Sequence, residues 1–174
     1  MVLISDILID AVKQYTANLE SGVQYCIKND KGQTVVDLSG GDGKSSWTEH
    51  KGPNQRWTVE KHGLGWYIKS VGSGKYLNVE GEVRDGTRVI ACDEPMPWRV
   101  WADDRLKGIR CVLGVLCPGG LRLIGGVDGG YRIVLPDTNQ NLDLSDHGNS
   151  TPGTAITLWS QSDGRNQLWK FEKG

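Results

Sequence analysis

One four-residue pattern ends the first third of the chain and returns near its end. Asn54-Gln55-Arg56-Trp57 recurs as Asn166-Gln167-Leu168-Trp169. The flanks recur with it. Thr58-Val59-Glu60-Lys61 answers to Lys170-Phe171-Glu172-Lys173, and Trp47 and Trp159 each stand ten residues ahead of a closing Trp. A repeat of this kind constrains a fold more than any local propensity, because each unit must bury its apolar face against its neighbours.

A second segment occurs three times. Val35-Val36-Asp37-Leu38, Tyr76-Leu77-Asn78-Val79 and Asn141-Leu142-Asp143-Leu144 alternate apolar and polar residues, which is the period of a strand with one face buried. Each follows a turn signal, Asp30-Lys31-Gly32, Gly72-Ser73-Gly74 or Pro136-Asp137-Thr138-Asn139. A further short strand precedes each turn, at Val23–Ile27, Gly65–Ile68 and Gly130–Ile133. The unit is strand, turn, strand, long loop, strand, loop and a closing Trp strand. The middle copy closes on Trp98-Arg99-Val100-Trp101, with Trp101 taken as its closing Trp and the Asn-Gln lost.

Spacing locates an insertion. Asp37 and Asn78 are 41 residues apart, whereas Asn78 and Asp143 are 65 apart. About 24 extra residues fall around 105–128. The stretches Gly108–Cys117 and Leu121–Ile124 are more apolar than a surface loop should be. An extra hairpin about Pro118-Gly119-Gly120 is the favoured reading; a partner-binding or homodimer patch and a retained intron are the others. The expected division is an N-terminal extension over 1–20 and one domain over 21–174, with repeats near 21–61, 62–104 and 129–174. Within the extension, Ile4, Ile7, Leu8, Ala11, Val12 and Tyr15 have helical spacing, which predicts a short helix.

Composition agrees with many short strands and excludes several functions. Gly numbers 24 of 174 residues and Trp 7, against a single Phe. A net charge of −1 argues against nucleic acid and against a polybasic membrane surface as partners. No apolar run reaches the roughly 18 residues of a membrane span. Cys26, Cys92, Cys111 and Cys117 fit no zinc spacing and read as reduced thiols. The opening Met1–Asp6 lacks the basic region of a secretory signal, so a cytoplasmic location, with non-classical release as one route out, is the expectation.

Three units of about 40 residues with a Gln-x-Trp closure resemble the β-trefoil of the ricin B-chain type, the R-type lectins. Asp37–Gly43 with Gly52–Trp57 is most similar to the fungal, mushroom-type members. The resemblance spans about Ser21–Asp104 and Gly129–Gly174. It implies an all-β trefoil in which Gln55, Trp57, Trp101, Gln167 and Trp169 are structural. It also implies a shallow sugar pocket built from an acid after the second strand, an aromatic platform on the third, and the Asn before the Gln. In the third repeat those positions fall on Asp146, Trp159 and Asn166, with Thr157 where the family often has Gln. In the first they fall on Trp47 and Asn54, with Asp42 the nearest acid. The second repeat lacks the set: its platform position falls near Cys92, its Asn position on Trp98, and Asp85 is without companions.

The residue types suit the chemistry. An indole stacks on the C–H face of a pyranose, adding on the order of 1 kcal/mol beyond burial. A carboxylate accepts from two vicinal hydroxyls, and a carboxamide both donates and accepts. An open site of this kind holds a monosaccharide at about millimolar, near −4 kcal/mol. Two sites on one rigid body add avidity for displayed glycans.

The expectation is a carbohydrate-binding agglutinin that recognises glycoproteins or glycolipids, of galactose or N-acetylgalactosamine type by default, without cofactor, metal or catalysis. No hydrolase, metalloprotease or phosphate-loop motif is present, and His50, His62 and His147 sit in polar turns. The rival reading is a trefoil protease inhibitor acting through exposed loops such as Asp93–Pro97.

Overall fold

The computed structural model describes residues 19–38, 45–103 and 130–174. Among these are twelve strands: β1 (Gln24–Asn29), β2 (Val35–Asp37), β3 (Ser45–Trp47), β4 (Trp57–His62), β5 (Gly65–Ser70), β6 (Tyr76–Val79), β7 (Val89–Cys92), β8 (Arg99–Ala102), β9 (Tyr131–Val134), β10 (Gln140–Leu144), β11 (Ile156–Ser160) and β12 (Trp169–Lys173). They form three sets of four, as the repeat requires.

The first and last strand of each set build a closed barrel. Antiparallel pairing runs β1–β4–β5, β8–β9–β12 and back to β1. The remaining seam, between β5 and β8, is closed by Trp66 and Trp98, which exchange two backbone hydrogen bonds of 2.8 Å. Gly65 permits that approach, since a Cβ there would stand 2.9 Å from the Trp98 carbonyl oxygen. A closed barrel leaves no unpaired edge. The middle strands form three hairpins, β2–β3, β6–β7 and β10–β11.

The hairpin registers superimpose. Val35 faces Trp47, Tyr76 faces Cys92 and Asn141 faces Trp159. Asp37, Asn78 and Asp143 fall one alternate position on, facing Ser45, Ile90 and Thr157. The apolar alternates point inward. Val36, Leu77, Leu142, Leu144, Ile156 and Leu158 join Ile27, Ile68 and Ile133 in one core at full burial.

One fully buried indole locks each set. Trp57 Nε1 donates to Val36 O at 3.0 Å, Trp98 Nε1 to Leu77 O at 3.0 Å, and Trp169 Nε1 to Leu142 O at 2.9 Å. Burying an indole demands a partner for its N–H, and the same carbonyl of each second strand supplies it. The closing Trp of the middle repeat is therefore Trp98 and not Trp101. Trp101 lies on β8 opposite Arg132 and is 38% exposed. In the corrected register Met96 takes the Gln position and packs against the core, and Pro95 takes the Asn position. Counting from the second strand gives this directly: Trp57 follows Val36 by 21 residues and Trp98 follows Leu77 by 21.

The proposed insertion at 105–128 and the N-terminal helix around Ile4–Tyr15 lie outside the described residues, as do Asp42, Cys111 and Cys117. The residues on either side of the insertion are joined: Asp103 N donates to Gly130 O at 3.0 Å. Cys26 and Cys92 are free thiols. Burial is the largest cause pushing the Cys26 thiol up to about 11, so it stays protonated and unreactive near neutral pH. No described helix is long and apolar enough to cross a membrane.

Candidate functional site

Strand alternation gives the third hairpin two unlike faces. Leu142, Leu144, Ile156 and Leu158 go to the core. Asn141, Asp143, Thr157 and Trp159 occupy the other face, with Asp143 opposite Thr157 and Asn141 opposite Trp159. Trp159 is 48% exposed, an unusual position for an indole unless it serves as a surface.

The one-turn 3₁₀ helix Arg165–Gln167 brings the closing amides to this face. Asn166 Nδ2 donates to Asp143 Oδ2 at 2.8 Å, and Gln167 Nε2 donates to the same oxygen at 2.9 Å. Gln167 Nε2 also reaches Ser160 O at 3.0 Å, and its Oε1 accepts Ser162 N at 2.9 Å. Gln167 thus ties β10 to the end of β11 and sets the angle at which Asn166 projects. Buried polar groups are kept only when satisfied, and this knot satisfies them.

The first repeat builds the same knot. Asn54 Nδ2 donates to both oxygens of Asp37 at 3.0 Å, and Gln55 Nε2 to Asp37 Oδ2 at 2.7 Å. Gln55 Nε2 also reaches Thr48 O at 2.9 Å, and its Oε1 accepts His50 N at 2.7 Å. Trp47 is 39% exposed. A cleft of about 360 Å³ lies beside Asn54, lined also by Leu38, Pro53, Ser70, Gly72, Ser73 and Lys75.

The acids of these knots were not among the residues singled out by sequence. Asp146 is exposed on the turn Ser145–Gly148, at φ +52°. The carboxylate that meets Asn166 is Asp143, three residues earlier. In the first repeat Asp37 meets Asn54. Both had served only as register markers, although a carboxylate inside an otherwise apolar strand is itself a signal. Thr157 is nearly buried, and its hydroxyl lies 3.1 Å from that of Ser145. Trp159 and Asn166, and Trp47 and Asn54, are brought to their hairpin faces as expected.

Burial pushes the Asp143 carboxyl above the ordinary carboxylate value, with the amides of Gln167 and Asn166 pulling against it. A desolvated carboxylate of this kind gains from any further donor. The third knot also has a support the first lacks. Arg132, fully buried, pairs with Asp103 at 2.8 Å and donates from Nη1 to Gln167 Oε1 at 2.9 Å.

The second repeat lacks both parts. Cys92 replaces the platform and Asn78 replaces the acid, donating to Cys92 Sγ and Glu94 O at 3.0 Å. Asp85 has no platform or amide of its own repeat to form a site with, and its carboxylate is used elsewhere. It accepts Gln140 Nε2 at 2.9 Å, Ser160 N at 2.7 Å and Ser160 Oγ at 2.8 Å. Asp85 therefore clamps the second repeat onto the third. No cluster of described side chains could hold a metal ion.

Comparison with known proteins places this geometry. The family profile described as "Ricin-type beta-trefoil lectin domain-like" matches residues 12–92. The solved structure of a Macrolepiota procera ricin B-like lectin in complex with lactose is 35% identical, with TM-score 0.75, covering 91% of this chain and 100% of that one. The Rhizoctonia solani agglutinin is 22% identical, with TM-score 0.72 and coverage of 91% and 99%. The designed three-fold symmetric protein ThreeFoil is 23% identical, with TM-score 0.68 and coverage of 87% and 99%. The last two share the fold. Among curated protein sequences no match is found.

Proposed function

This chain belongs to the ricin B-like β-trefoil lectin family, and we propose that it binds glycans at the third-repeat and first-repeat knots without catalysing any reaction. The observation that carries the reading is the pairing of a hydrogen-bonded carboxylate and carboxamide with a half-exposed indole, built twice. Trp159 supplies a flat face for sugar C–H groups. Asp143 accepts from two hydroxyls and Asn166 completes the polar rim. Trp47, Asp37 and Asn54 repeat the arrangement. The Macrolepiota lectin was solved with lactose, which makes a galactose-type terminal residue the first ligand to test.

Neither knot resembles a hydrolytic centre. Each offers one carboxylate that accepts from the neighbouring carboxamides, whereas glycoside hydrolysis needs two carboxyl groups flanking the bond. The inhibitor reading has no observation in its favour, and the Asp93–Pro97 loop it invoked is partly consumed by Met96 packing inward.

A glycan array run on wild type, Trp47→Ala, Trp159→Ala and the double variant tests the proposal. Each single variant should keep a weakened form of the wild-type pattern, and the double should be blank. A blank array for folded wild type, or wild-type binding by the double variant, overturns it.

A further inference from the structure

The two indole platforms are flanked by different walls. Beside Trp47 runs the loop Asn149–Thr154 of the third repeat, and a Cβ on Gly153 would come within 3.7 Å of Trp47 Cζ3. That loop carries no charged residue. Beside Trp159 runs the loop Glu80–Arg88 of the second repeat, and a Cβ on Gly86 would come within 3.8 Å of Trp159 Cζ3. The two loops dock alike. Gly153 N donates to Ser46 O and Ser46 N to Thr154 O, both at 2.8 Å; Gly86 N donates to Leu158 O at 2.9 Å and Leu158 N to Thr87 O at 2.7 Å.

The second loop encloses a cleft of about 550 Å³ lined by Glu80, Gly81, Glu82 and Arg84 through Arg88. Gly86 belongs both to this lining and to the contact with Trp159 Cζ3. The cleft is pre-formed. Asp85 pins it from below through Gln140 and Ser160, Thr87 Oγ1 ties it across to Glu82 O at 2.5 Å, and Glu80 N closes its neck on Arg88 O at 2.9 Å. Its charged side chains are left over: among the described residues Arg84, Arg88, Glu80 and Glu82 enter no ion pair.

We propose that this cleft is a second subsite of the third-repeat site, taking the next residue of a neutral oligosaccharide whose terminal sugar lies on Trp159. The proposal rests on the glycan-binding reading of Trp159 and Asp143. Two guanidinium groups donate and two carboxylates accept, which matches the mixed donors and acceptors of a polyhydroxyl ring. With Asp85 the lining holds three carboxylates against two guanidinium groups, and that surplus disfavours an anionic residue. The hydrogen-bonded wall lowers the ordering cost of binding. The first-repeat site, with its neutral loop, remains a terminal-sugar site. The molecule therefore carries one site that reads a chain end and one that reads a chain end with its neighbour.

Titration calorimetry on Trp47→Ala, which leaves only the third-repeat site, is the test, with galactose, lactose and sialyllactose as probes. Lactose should bind at least tenfold tighter than galactose, and the sialylated trisaccharide no tighter than lactose. Adding Arg84→Ala and Arg88→Ala should weaken lactose three- to tenfold and leave galactose unchanged. Equal losses for galactose and lactose, no loss for either, or a preference for the sialylated sugar overturns the subsite. Loss of all binding in Trp47→Ala with the fold intact instead overturns the third-repeat site itself, so the two failures are distinguishable.

Discussion

The first and second repeats solve one packing problem in two ways. Both close on a fully buried indole whose Nε1 donates to the second strand 21 residues earlier. The first adds Asp37, Asn54 and Gln55 in a polar knot; the second has Asn78, Pro95 and Met96, with Met96 packing apolar surface instead. The barrel closes either way. The knot is therefore not a requirement of the fold, and where it occurs it presents a carboxamide and a carboxylate beside an exposed indole. The repeat that lost the indole, with Cys92 in its place, lost the knot as well.

This contrast can be broken most forcefully at the closing indoles. Trp98→Ala should cost about 3–5 kcal/mol, as much as Trp169→Ala, measured by urea unfolding. A much smaller cost for Trp98→Ala would mean the second repeat is not closed in the same way. Next is Asp143→Asn, which copies the residue the second repeat already carries at this position. Glycan binding at the third site should fall by a hundredfold or more, while stability moves by about 1 kcal/mol or less, since a buried amide keeps partners for Asn166 and Gln167. Binding that survives Asp143→Asn would return the acid to Asp146.

The pH dependence sharpens the same point. Asp143 has its folded-state value raised above 3.8. Its ionised form, which the sugar needs, is lost as pH falls through that raised value. Protonation there does not unfold the protein, because a group with a raised folded value contributes stability at low pH that is lost as pH rises through it. Asp30 behaves in the opposite sense. Burial pulls it up, but Arg165 at 2.6 Å and Lys170 at 3.1 Å outweigh burial and hold it below 3.8. Its contribution is present above the unfolded value and lost only as pH falls through the lower folded one. Acidification should thus remove glycan binding before near-ultraviolet circular dichroism reports loss of tertiary structure. Coincident loss of both would refute the assignment to Asp143. The smallest expected effect is at Cys92→Ser, within about 0.5 kcal/mol and without change in glycan binding, because that position has no platform to lose.

Much of this was legible in the chain. The recurring Asn-Gln-x-Trp and the alternating second strands gave the three-fold barrel, and the paired spacing of Trp47 and Trp159 gave the two platforms. The middle closure was misread at Trp101 because Trp98-Arg99-Val100-Trp101 imitates the spacing of the motif it replaced; only the count from Leu77 distinguishes the two. Asp37 and Asp143 were overlooked as site residues because burial makes a strand carboxylate look structural, and partners 17 and 23 residues away become visible only on folding. The clamp at Asp85, reaching 75 residues to Ser160, has no local signature.

Each knot is bounded by all three repeats. The third-repeat site is walled by the loop of the second, while the turn of the first holds it from behind, where Asn29 Nδ2 donates to Asn166 O at 2.8 Å. The first-repeat site is walled by the third, and Gly72 N of the second donates to Pro53 O at 3.0 Å beside Asn54. An ancestral single unit of about 40 residues would have had no complete site until three copies met, whether as separate chains or as one. Recognition in this architecture therefore depends on ring closure, since no single unit holds a complete site.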